Sequence, residues 1–350
     1  MLANFVIIKI FLLTTLSFGL AVILTPLLTH FLYKYKIGKQ IRDDEQAPIF
    51  SRLHRKKTGT PTMGGVIIWL AVLILSLLFF YLAKLFPDGL FKDLNFLTRS
   101  ETLLPLGALV ASALVGLVDD LLGVKKIGKN GGGLTIKHRL LIYTVIAAFG
   151  ALWFYFKLNW DVIHLPFLGN FAIGWWYIPI FIFIIVATAF SVNETDGLDG
   201  LAGGVLLTSF GSLGAISFIL GKYDLATFCG VIVGALLAFL WFNINPARFF
   251  MGDTGAMSLG ISLGIVALLT NTAILLPIIG AVLVLESLSV IIQLLSKKLR
   301  HGKKIFLSAP LHHHLEAIGW SEPKIVMRFW VISGVTAVIG LILFLLDKAY

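Results

Sequence analysis

The chain has 350 residues, of which 58% are hydrophobic and only 13% are charged, and its mean hydropathy is +0.95. A water-soluble domain carries about 25% charged residues, so this composition excludes a soluble globular protein and predicts an integral membrane protein. The formal charge of +10 does not indicate nucleic-acid binding, because the basic residues cluster between apolar runs. The single cysteine, Cys229, excludes a disulfide or a zinc–cysteine site within the chain.

Ten apolar runs are long enough to be transmembrane helices, which need roughly 20 mainly apolar residues. They predict an all-α, polytopic membrane protein in a single domain, residues 1–350. The division between the eighth and ninth runs, near Asn271, has the weakest signal. The first run is interpreted as a retained helix, because no small-residue cleavage site follows it. The predicted spans are 4–33, 63–86, 102–122, 138–157, 174–192, 199–220, 225–243, 254–271, 274–296 and 325–346.

The distribution of lysine and arginine predicts how these helices are oriented. The connections after the first, third and ninth runs are rich in both residues, whereas the even-numbered connections hold few. Because basic loops stay on the cytoplasmic side of a membrane, we expect both termini outside and the odd-numbered connections in the cytoplasm. The predicted topology then places one set of ionisable residues on the cytoplasmic side: Asp119, Asp120, Asp196, Asp199, Asp253, His312, His313 and His314.

Acidic residues close to a bilayer are costly and are usually retained for function. Asp119 and Asp120 are adjacent, and adjacent helical residues point about 100° apart, so we expect them to meet different partners. Asp196 and Asp199 share a face if their segment is helical, although a capped turn is an alternative. Asp253 precedes an apolar run, where an N-cap is the structural alternative. Oxygen ligands without thiols favour Mg²⁺, and Mg²⁺ suggests phosphate chemistry.

A triple histidine, His312 to His314, lies between the ninth and tenth runs. Such a tract can indicate zinc, but adjacent side chains diverge, so one ion is not expected to bind all three. Phosphate binding, proton transfer or ordering of the loop is the preferred interpretation. Lys57 ends a basic run just before the second apolar run. It is therefore close enough to the membrane to reach an anionic substrate.

Taken together, these motifs resemble the bacterial phospho-N-acetylmuramoyl-pentapeptide transferase family, a branch of the polyprenyl-phosphate N-acetylhexosamine-1-phosphate transferase superfamily. The resemblance runs in order from about residue 20 to 330. The aspartate motifs mark the superfamily, and the Pro-x-His-His-His-x-Glu form resembles the muramoyl-pentapeptide branch more closely than the branches that use UDP-N-acetylglucosamine. The matching segments are Pro61-Thr62-Met63-Gly64-Gly65, Asp119-Asp120, Asn193, Thr195-Asp196-Gly197-Leu198-Asp199-Gly200, Phe250-Met251-Gly252-Asp253-Thr254-Gly255 and Ala309-Pro310-Leu311-His312-His313-His314-Leu315-Glu316.

The resemblance implies a ten-helix, homodimeric enzyme with its active site at the cytoplasmic face of the bacterial inner membrane. It implies Mg²⁺-dependent transfer of phospho-MurNAc-pentapeptide from UDP-MurNAc-pentapeptide to undecaprenyl phosphate, which gives lipid I and UMP. Asp253 would bind Mg²⁺, Asp119 and Asp120 would act on the lipid phosphate as base or nucleophile, and His312 and His313 would take part in catalysis. The residues implied to bind substrate are Lys57, Thr62, Lys137, Asn193, Asp196, Asp199, Asn243, Phe250, Gln293 and His314.

Two residues depart from the family pattern, since Glu194 replaces a usually apolar residue and Ala256 replaces a common serine. Two other functions remain alternatives. A related transferase that uses UDP-N-acetylglucosamine would share the acidic motifs but not the triple-histidine segment. A proton-coupled transporter would also use intramembrane acids and histidines. Transporters, however, often place charges near the midplane and show internal repeats, and no repeat is visible in this sequence.

Overall fold

The computed structural model describes residues 2–35, 37–38, 57–99, 101–128 and 132–349. Much of the basic connection used to predict the orientation, Lys36 and residues 39–56, lies outside the described residues, as does Lys129. The helices are α1 (Leu2–Lys34), α2 (Val66–Leu85), α3 (Leu90–Leu94), α4 (Leu103–Val124), α5 (Ile136–Lys157), α6 (Tyr177–Thr195), α7 (Leu201–Ile219), α8 (Tyr223–Asn243), α9 (Gly252–Leu269), α10 (Leu276–Ile279), α11 (Ala281–Leu299), α12 (Leu311–Ala317) and α13 (Glu322–Ala349).

Within the described ranges, nine helices are long and apolar enough to cross a membrane. This confirms the predicted all-α, polytopic architecture, and most predicted spans match a helix within a few residues. The predicted ninth span, 274–296, is the exception. It is interrupted at Gly280 and forms the short α10 and the 19-residue α11. Because α11 carries Glu286, Lys297 and Lys298, it is less apolar than the other nine.

Helix α9 lies at the centre of the bundle, and nearly all of its residues are buried. It packs against α4 and α6, with α2 close to its first turns. Small residues let these backbones approach closely. A Cβ added at Gly65 would lie 2.3 Å from Cα of Gly255, and one at Gly116 would lie 2.4 Å from the carbonyl oxygen of Asp253. Tight packing therefore fixes the backbone around Asp253.

The outer helices expose broad apolar surfaces. Ile23 on α1, Phe149 on α5 and Val331 on α13 are 68%, 74% and 66% exposed. Each such side chain would gain about 1.5–3 kcal/mol by leaving water, so these faces suit contact with lipid rather than solvent. The surface thus supports the membrane assignment made from composition.

A short antiparallel hairpin between α5 and α6 was not predicted from the sequence. Its strands are β1 (Val162–Leu165) and β2 (Gly169–Ala172). His164 of β1 contacts Asp347 near the end of α13, and the same carboxylate accepts the Phe167 N–H. These contacts hold the hairpin against the C-terminal end of α13, at the opposite end of that helix from Glu322.

Candidate active site

Arg139, which the sequence analysis did not single out, lies between two of the predicted acids near the start of α5. Its Nε donates to Oδ2 of Asp119 at 2.7 Å, and its Nη2 donates to Oδ2 of Asp253 at 2.8 Å. Its Nη1 donates to Oδ1 of Asn193 at 3.0 Å, while Nδ2 of Asn193 donates to Oδ1 of Asp253. One guanidinium therefore joins α4, α6 and α9 through residues that the sequence had assigned to the site.

The two carboxylates on Arg139 differ in accessibility. The side chain of Asp119 is fully buried, whereas that of Asp253 is 18% exposed. Asp119 also accepts the backbone N–H of Leu134 at 2.6 Å, so donors occupy both of its oxygens. Two like charges held this close would repel each other without the guanidinium between them. Asp253 is thus the member of the pair that a ligand can reach.

Asp120 faces away from Arg139 and stabilises the start of α9. Its Oδ2 accepts the Thr254 N–H at 3.1 Å, and its Oδ1 accepts the Thr62 hydroxyl at 3.3 Å. A carboxylate at a helix N-terminus is favourable because the free N–H groups there carry positive potential. The expectation that Asp119 and Asp120 meet different partners is therefore confirmed.

Asp253 itself is not an N-cap, which was the structural alternative. Met251 occupies the N-cap position of α9, and no side-chain cap is formed there. Gly252, between them, has φ +76°, and a Cβ on it would lie 2.6 Å from Oδ2 of Asp120. Both the positive φ and the close approach of Asp120 require glycine at this position. Glycine thus allows the Asp120 carboxylate to lie against the first turn of α9, which carries Asp253.

Asp196 and Asp199 do not share a helical face, because α6 ends at Thr195 and α7 begins only at Leu201. Oδ2 of Asp196 accepts the backbone N–H of Gly252 at 3.2 Å. Asp199 points elsewhere, and its Oδ1 accepts Lys57 Nζ at 2.6 Å. The turn between the two helices therefore connects the Asp253 region with a second cluster.

The second cluster combines a cation, two acids and an aromatic ring. Lys57 binds both Asp199 and Glu322, the first residue of α13. Its Nζ also lies 5.8 Å from the centre of the half-buried Phe250 ring. A ring beside charged hydrogen-bonding groups is suited to a planar, polar ligand. Glu322 was not among the predicted site residues. Its position as an acid in the first turn of the last long helix is the feature of the sequence that could have indicated it.

The amide side chains of Asn243 and Gln293, which were predicted to bind substrate, form hydrogen bonds with loop backbone in this structure. Asn243 accepts the Gly200 N–H at 2.9 Å and donates to the carbonyl of Phe249 at 2.8 Å. Gln293 donates to the carbonyl of Phe306 at 2.8 Å. Both side chains are buried. Their roles in substrate binding stay predictions, as does that of Lys137, which is exposed and forms no ion pair with described residues.

The three histidines bind three different partners, but the rings of His312 and His313 do not diverge, because their centres lie 4.1 Å apart. His312 Nδ1 lies 2.9 Å from Glu286 Oε2, and His313 Nδ1 lies 2.7 Å from Glu316 Oε2. His314 Nδ1 accepts a backbone N–H at 3.2 Å. In the part of the chain that the structure describes, no three His, Cys, Asp or Glu residues are grouped to hold a metal. The roles of the three histidines in catalysis and substrate binding stay predictions.

His312 is completely buried, and its Nε2 has no hydrogen-bond partner among the residues that the structure describes. Burial alone would lower its pKa, but the nearby carboxylates, Glu286 first and then Glu316 and Glu194, raise the pKa above its ordinary value. A Cβ added at Gly197 would lie only 2.1 Å from Nε2 of His312. The imidazole is thus pressed against the turn that carries Asp196 and Asp199.

Gly197→Ala is expected to reduce both stability and activity, because the new methyl group would overlap the ring of His312. Overpacking of this kind typically costs about 1–3 kcal/mol, and the ring cannot move freely while Glu286 holds it. Thermal unfolding and turnover in detergent measure the two effects. Gly211→Ala is the matched control, since a Cβ there meets nothing within 4 Å. Equal behaviour of the two variants would contradict the close contact.

The fold and the site define a polytopic membrane transferase. Residues 102–271 match the family described as Glycosyl transferase family 4. The matched segment contains Asp119, Arg139, Asn193 and Asp253, so it coincides with the cluster around the guanidinium.

Full-length relatives give the particular family. The chain is 40% identical to the phospho-N-acetylmuramoyl-pentapeptide-transferase of Chloroflexus aggregans, over 96% of this chain and 89% of the relative. It is 41% identical to that of a Geobacillus species, over 93% and 95%. It is 39% identical to that of Bacillus subtilis, also over 93% and 95%. The chain belongs to the phospho-N-acetylmuramoyl-pentapeptide-transferase family.

Proposed function

We propose that this protein transfers phospho-MurNAc-pentapeptide from UDP-MurNAc-pentapeptide to undecaprenyl phosphate in a Mg²⁺-dependent reaction, giving lipid I and UMP. The observation that carries this proposal is the pair of adjoining clusters, one around Arg139 and one around Lys57, in a chain that belongs to this transferase family. The proposed location is the bacterial inner membrane, with the site facing the cytoplasm and the protein forming a homodimer.

The reacting groups are all anions, so the proposed site must reduce their mutual repulsion. The donor carries a pyrophosphate and the acceptor a phosphate. Arg139 and Lys57 supply one fixed cation to each cluster, but two carboxylates lie against each of them and offset its charge. Preorganised charges in a site shielded from water are worth far more than the same charges in bulk solvent. A divalent cation would therefore be needed, in addition to the two side chains, to bring donor and acceptor phosphates together.

The residues present fit Mg²⁺. Asp253 offers a partly exposed carboxylate beside that of Asp119, and a cation, the Arg139 guanidinium, already lies between them. Mg²⁺ usually binds one or two carboxylates together with substrate phosphate oxygens, so a closed cage of protein ligands is not required. Asp253, the partly exposed carboxylate of the pair, would hold the ion. When bound, it would screen the phosphate charges and stabilise the transition state.

We propose direct attack by the acceptor, with Asp119 and Asp120 as positioning groups. An oxygen of the acceptor phosphate forms a bond to the sugar-linked phosphorus of the donor, the pyrophosphate bond breaks, and UMP leaves. The acceptor phosphate is already largely ionised at neutral pH, so a strong base is not needed. Both oxygens of each carboxylate accept hydrogen bonds from the protein, which supports positioning over nucleophilic attack.

The Lys57 cluster is the proposed nucleotide site. Phe250 would stack on the uracil ring, and Asp199 with Lys57 would meet its polar edge. Base–aromatic stacking is worth about 1–3 kcal/mol per base. This assignment places the leaving nucleotide next to the turn that contacts the start of α9 through Asp196.

Release of UMP by the purified protein tests the proposal. The assay contains UDP-MurNAc-pentapeptide, undecaprenyl phosphate and Mg²⁺, with EDTA and UDP-N-acetylglucosamine as controls. We expect Mg²⁺-dependent release with the muramoyl donor alone. Release only with UDP-N-acetylglucosamine would move the protein to the related transferases. No release from folded protein with either donor would overturn the transferase proposal.

Glu286→Gln is expected to lower the unfolding temperature most strongly at acidic pH. The pKa of His312 is raised in the folded protein, so the stabilising contribution is fully present below the unfolded pKa of about 6.5. It is lost as pH rises through the folded pKa. Thermal unfolding of both proteins across a pH series measures the difference. A difference that does not shrink towards alkaline pH would contradict the raised pKa of His312.

A further inference from the structure

A pocket of about 280 Å³, lined by both apolar and polar side chains, lies between the last turns of α1 and the end of α8, and none of its lining residues belongs to either cluster of the proposed active site. Thr25, Thr29, His30 and Tyr33 line it from α1, and Arg248 lines it from the loop after α8. We propose that this pocket binds the phosphate headgroup of an anionic bilayer phospholipid. The bound headgroup would restrain the loop after α8, which donates hydrogen bonds to the side chain of Asp199.

Arg248 supplies the cation for such a headgroup. Its guanidinium carbon lies 5.6 Å from the centre of the Phe242 ring, and its side chain is exposed. Among the residues that the structure describes, no acid forms an ion pair with it. A guanidinium binds phosphate oxygens through two parallel hydrogen bonds. His30, which also lines the pocket, adds a further donor, whereas the Tyr33 hydroxyl already donates to the carbonyl of Arg248 at 3.2 Å.

The pocket lies at the end of the bundle that the proposed function assigns to the cytoplasmic surface of the membrane. It belongs to the last turns of α1, which ends at Lys34, at the same end of the bundle as the site acids. Basic pockets between transmembrane helices at the cytoplasmic side are a recognised way of binding anionic headgroups. Its volume is below the ~300–1,000 Å³ of pockets that enclose drug-sized ligands, so it suits a headgroup whose tails remain outside.

The surface next to the pocket suits those tails. Ile23 and Leu27 on α1 are each 68% exposed, and Trp241 on α8 is 75% exposed. Exposed apolar side chains on the two helices that form the pocket would contact acyl chains. A soluble phosphate would gain nothing from these contacts, so the chemistry favours a lipid over a free anion.

The pocket is connected to the proposed nucleotide site through the backbone of one loop. Arg248 N–H donates to the carbonyl of Phe242 at 2.9 Å. On the same loop, Asn245 Nδ2 and Ala247 N–H donate to Oδ2 of Asp199 at 3.0 and 3.1 Å. A headgroup held by Arg248 would restrain this loop and so favour the arrangement around Asp199. Because coupling between two binding sites is reciprocal, a nucleotide at Asp199 and a lipid at Arg248 would each strengthen the binding of the other. This coupling rests on the proposed function, whereas the lipid site does not.

Native mass spectrometry of delipidated protein titrated with phosphatidylglycerol tests the lipid site. Loss of a hydrogen-bonded charge should weaken binding by about tenfold or more in Arg248→Gln. Arg300→Gln is the matched control, because Arg300 is exposed at the end of α11 and does not line the pocket. We expect Arg300→Gln and the wild type to bind alike, and phosphatidylcholine to bind weakly.

Three outcomes would overturn the lipid site. Equal weakening in both arginine variants would show general charge attraction to the membrane surface. Displacement of phosphatidylglycerol by inorganic phosphate at similar concentration would show a soluble-anion site. Stronger binding of undecaprenyl phosphate with the same dependence on Arg248 would assign the pocket to the acceptor substrate.

UMP binding in nanodiscs tests the coupling. Couplings of this kind are typically about 5-fold or larger, so wild-type protein should bind UMP at least that much more tightly with phosphatidylglycerol than with phosphatidylcholine. Arg248→Gln should lose the difference. An equal difference in that variant would overturn the coupling. Absence of UMP binding in every lipid would overturn both the coupling and the proposed function, while the mass-spectrometric lipid result would stand.

Discussion

Arg139→Gln is expected to reduce kcat by about 10²–10³-fold, the scale of losing one preorganised electrostatic group. The guanidinium is the only group in contact with Asp119, Asn193 and Asp253 together among the described residues. Without it, two carboxylates would face each other with an amide between them, and the geometry of the site would relax. Turnover by UMP release measures the loss, with thermal unfolding as a check that the variant folds.

Two further variants separate charge from geometry in this prediction. Arg139→Lys keeps the charge but loses the planar fork that reaches several acceptors, so we expect it to fall between the wild type and Arg139→Gln. Lys157→Gln removes an exposed base at the opposite end of α5 and should change turnover by less than about twofold, as for surface substitutions outside a site. A larger loss in Lys157→Gln than in Arg139→Gln would contradict the assignment.

Asp253→Asn is expected to abolish Mg²⁺-dependent turnover, with a loss of at least ~10³-fold, since the ion supplies several kcal/mol and each 1.36 kcal/mol is tenfold in rate. The substitution preserves size, and the amide can still pair with Asn193, so the start of α9 should remain folded. Its effect should therefore fall on the metal rather than on packing.

Binding of Mn²⁺ followed by electron paramagnetic resonance gives a readout of Asp253 that is independent of turnover. Asp253→Asn should weaken Mn²⁺ binding, whereas Asp88→Asn, an exposed acid elsewhere in the chain, should leave it unchanged. Near-wild-type turnover of Asp253→Asn would contradict the metal assignment. Unchanged Mn²⁺ affinity with lost turnover would assign Asp253 to catalysis without the metal.

The helices and the position of the acids were predictable because both depend on local signals. Apolar runs of sufficient length predict spanning helices, and ionisable residues at their ends predict a site near one surface. Gly280 shows where this reasoning failed. The run 274–296 is apolar enough to suggest one helix, but the backbone turns at Gly280. The length and hydropathy of an apolar run do not indicate where its backbone turns.

The partners of the site residues were harder to predict because they depend on which face of each helix packs inward. Lys137 and Arg139 are both basic and both lie near the start of α5, and they point about 200° apart on a helix. Only the packing of α5 against α6 decides that Arg139 reaches the acids. To predict the partners of Asp196 and Asp199, one must also know that helix α6 ends at Thr195, so that the two acids lie in a turn rather than on a helix.

The packing of α9 has a consequence for inhibitor resistance. Along this helix a Cβ added at Gly255 would lie 2.4 Å from Cγ of Met251 and 2.9 Å from Cα of Gly65, and one at Gly260 would lie 2.7 Å from Cα of Ala189. Neighbouring backbone contributes to the overlap at both positions, so movement of a side chain alone does not make room for a larger residue. A compound that binds at Asp253, the partly exposed residue in the first turn of α9, would therefore meet a surface that substitutions within the helix can hardly reshape. Escape variants should arise instead in the loops that surround it.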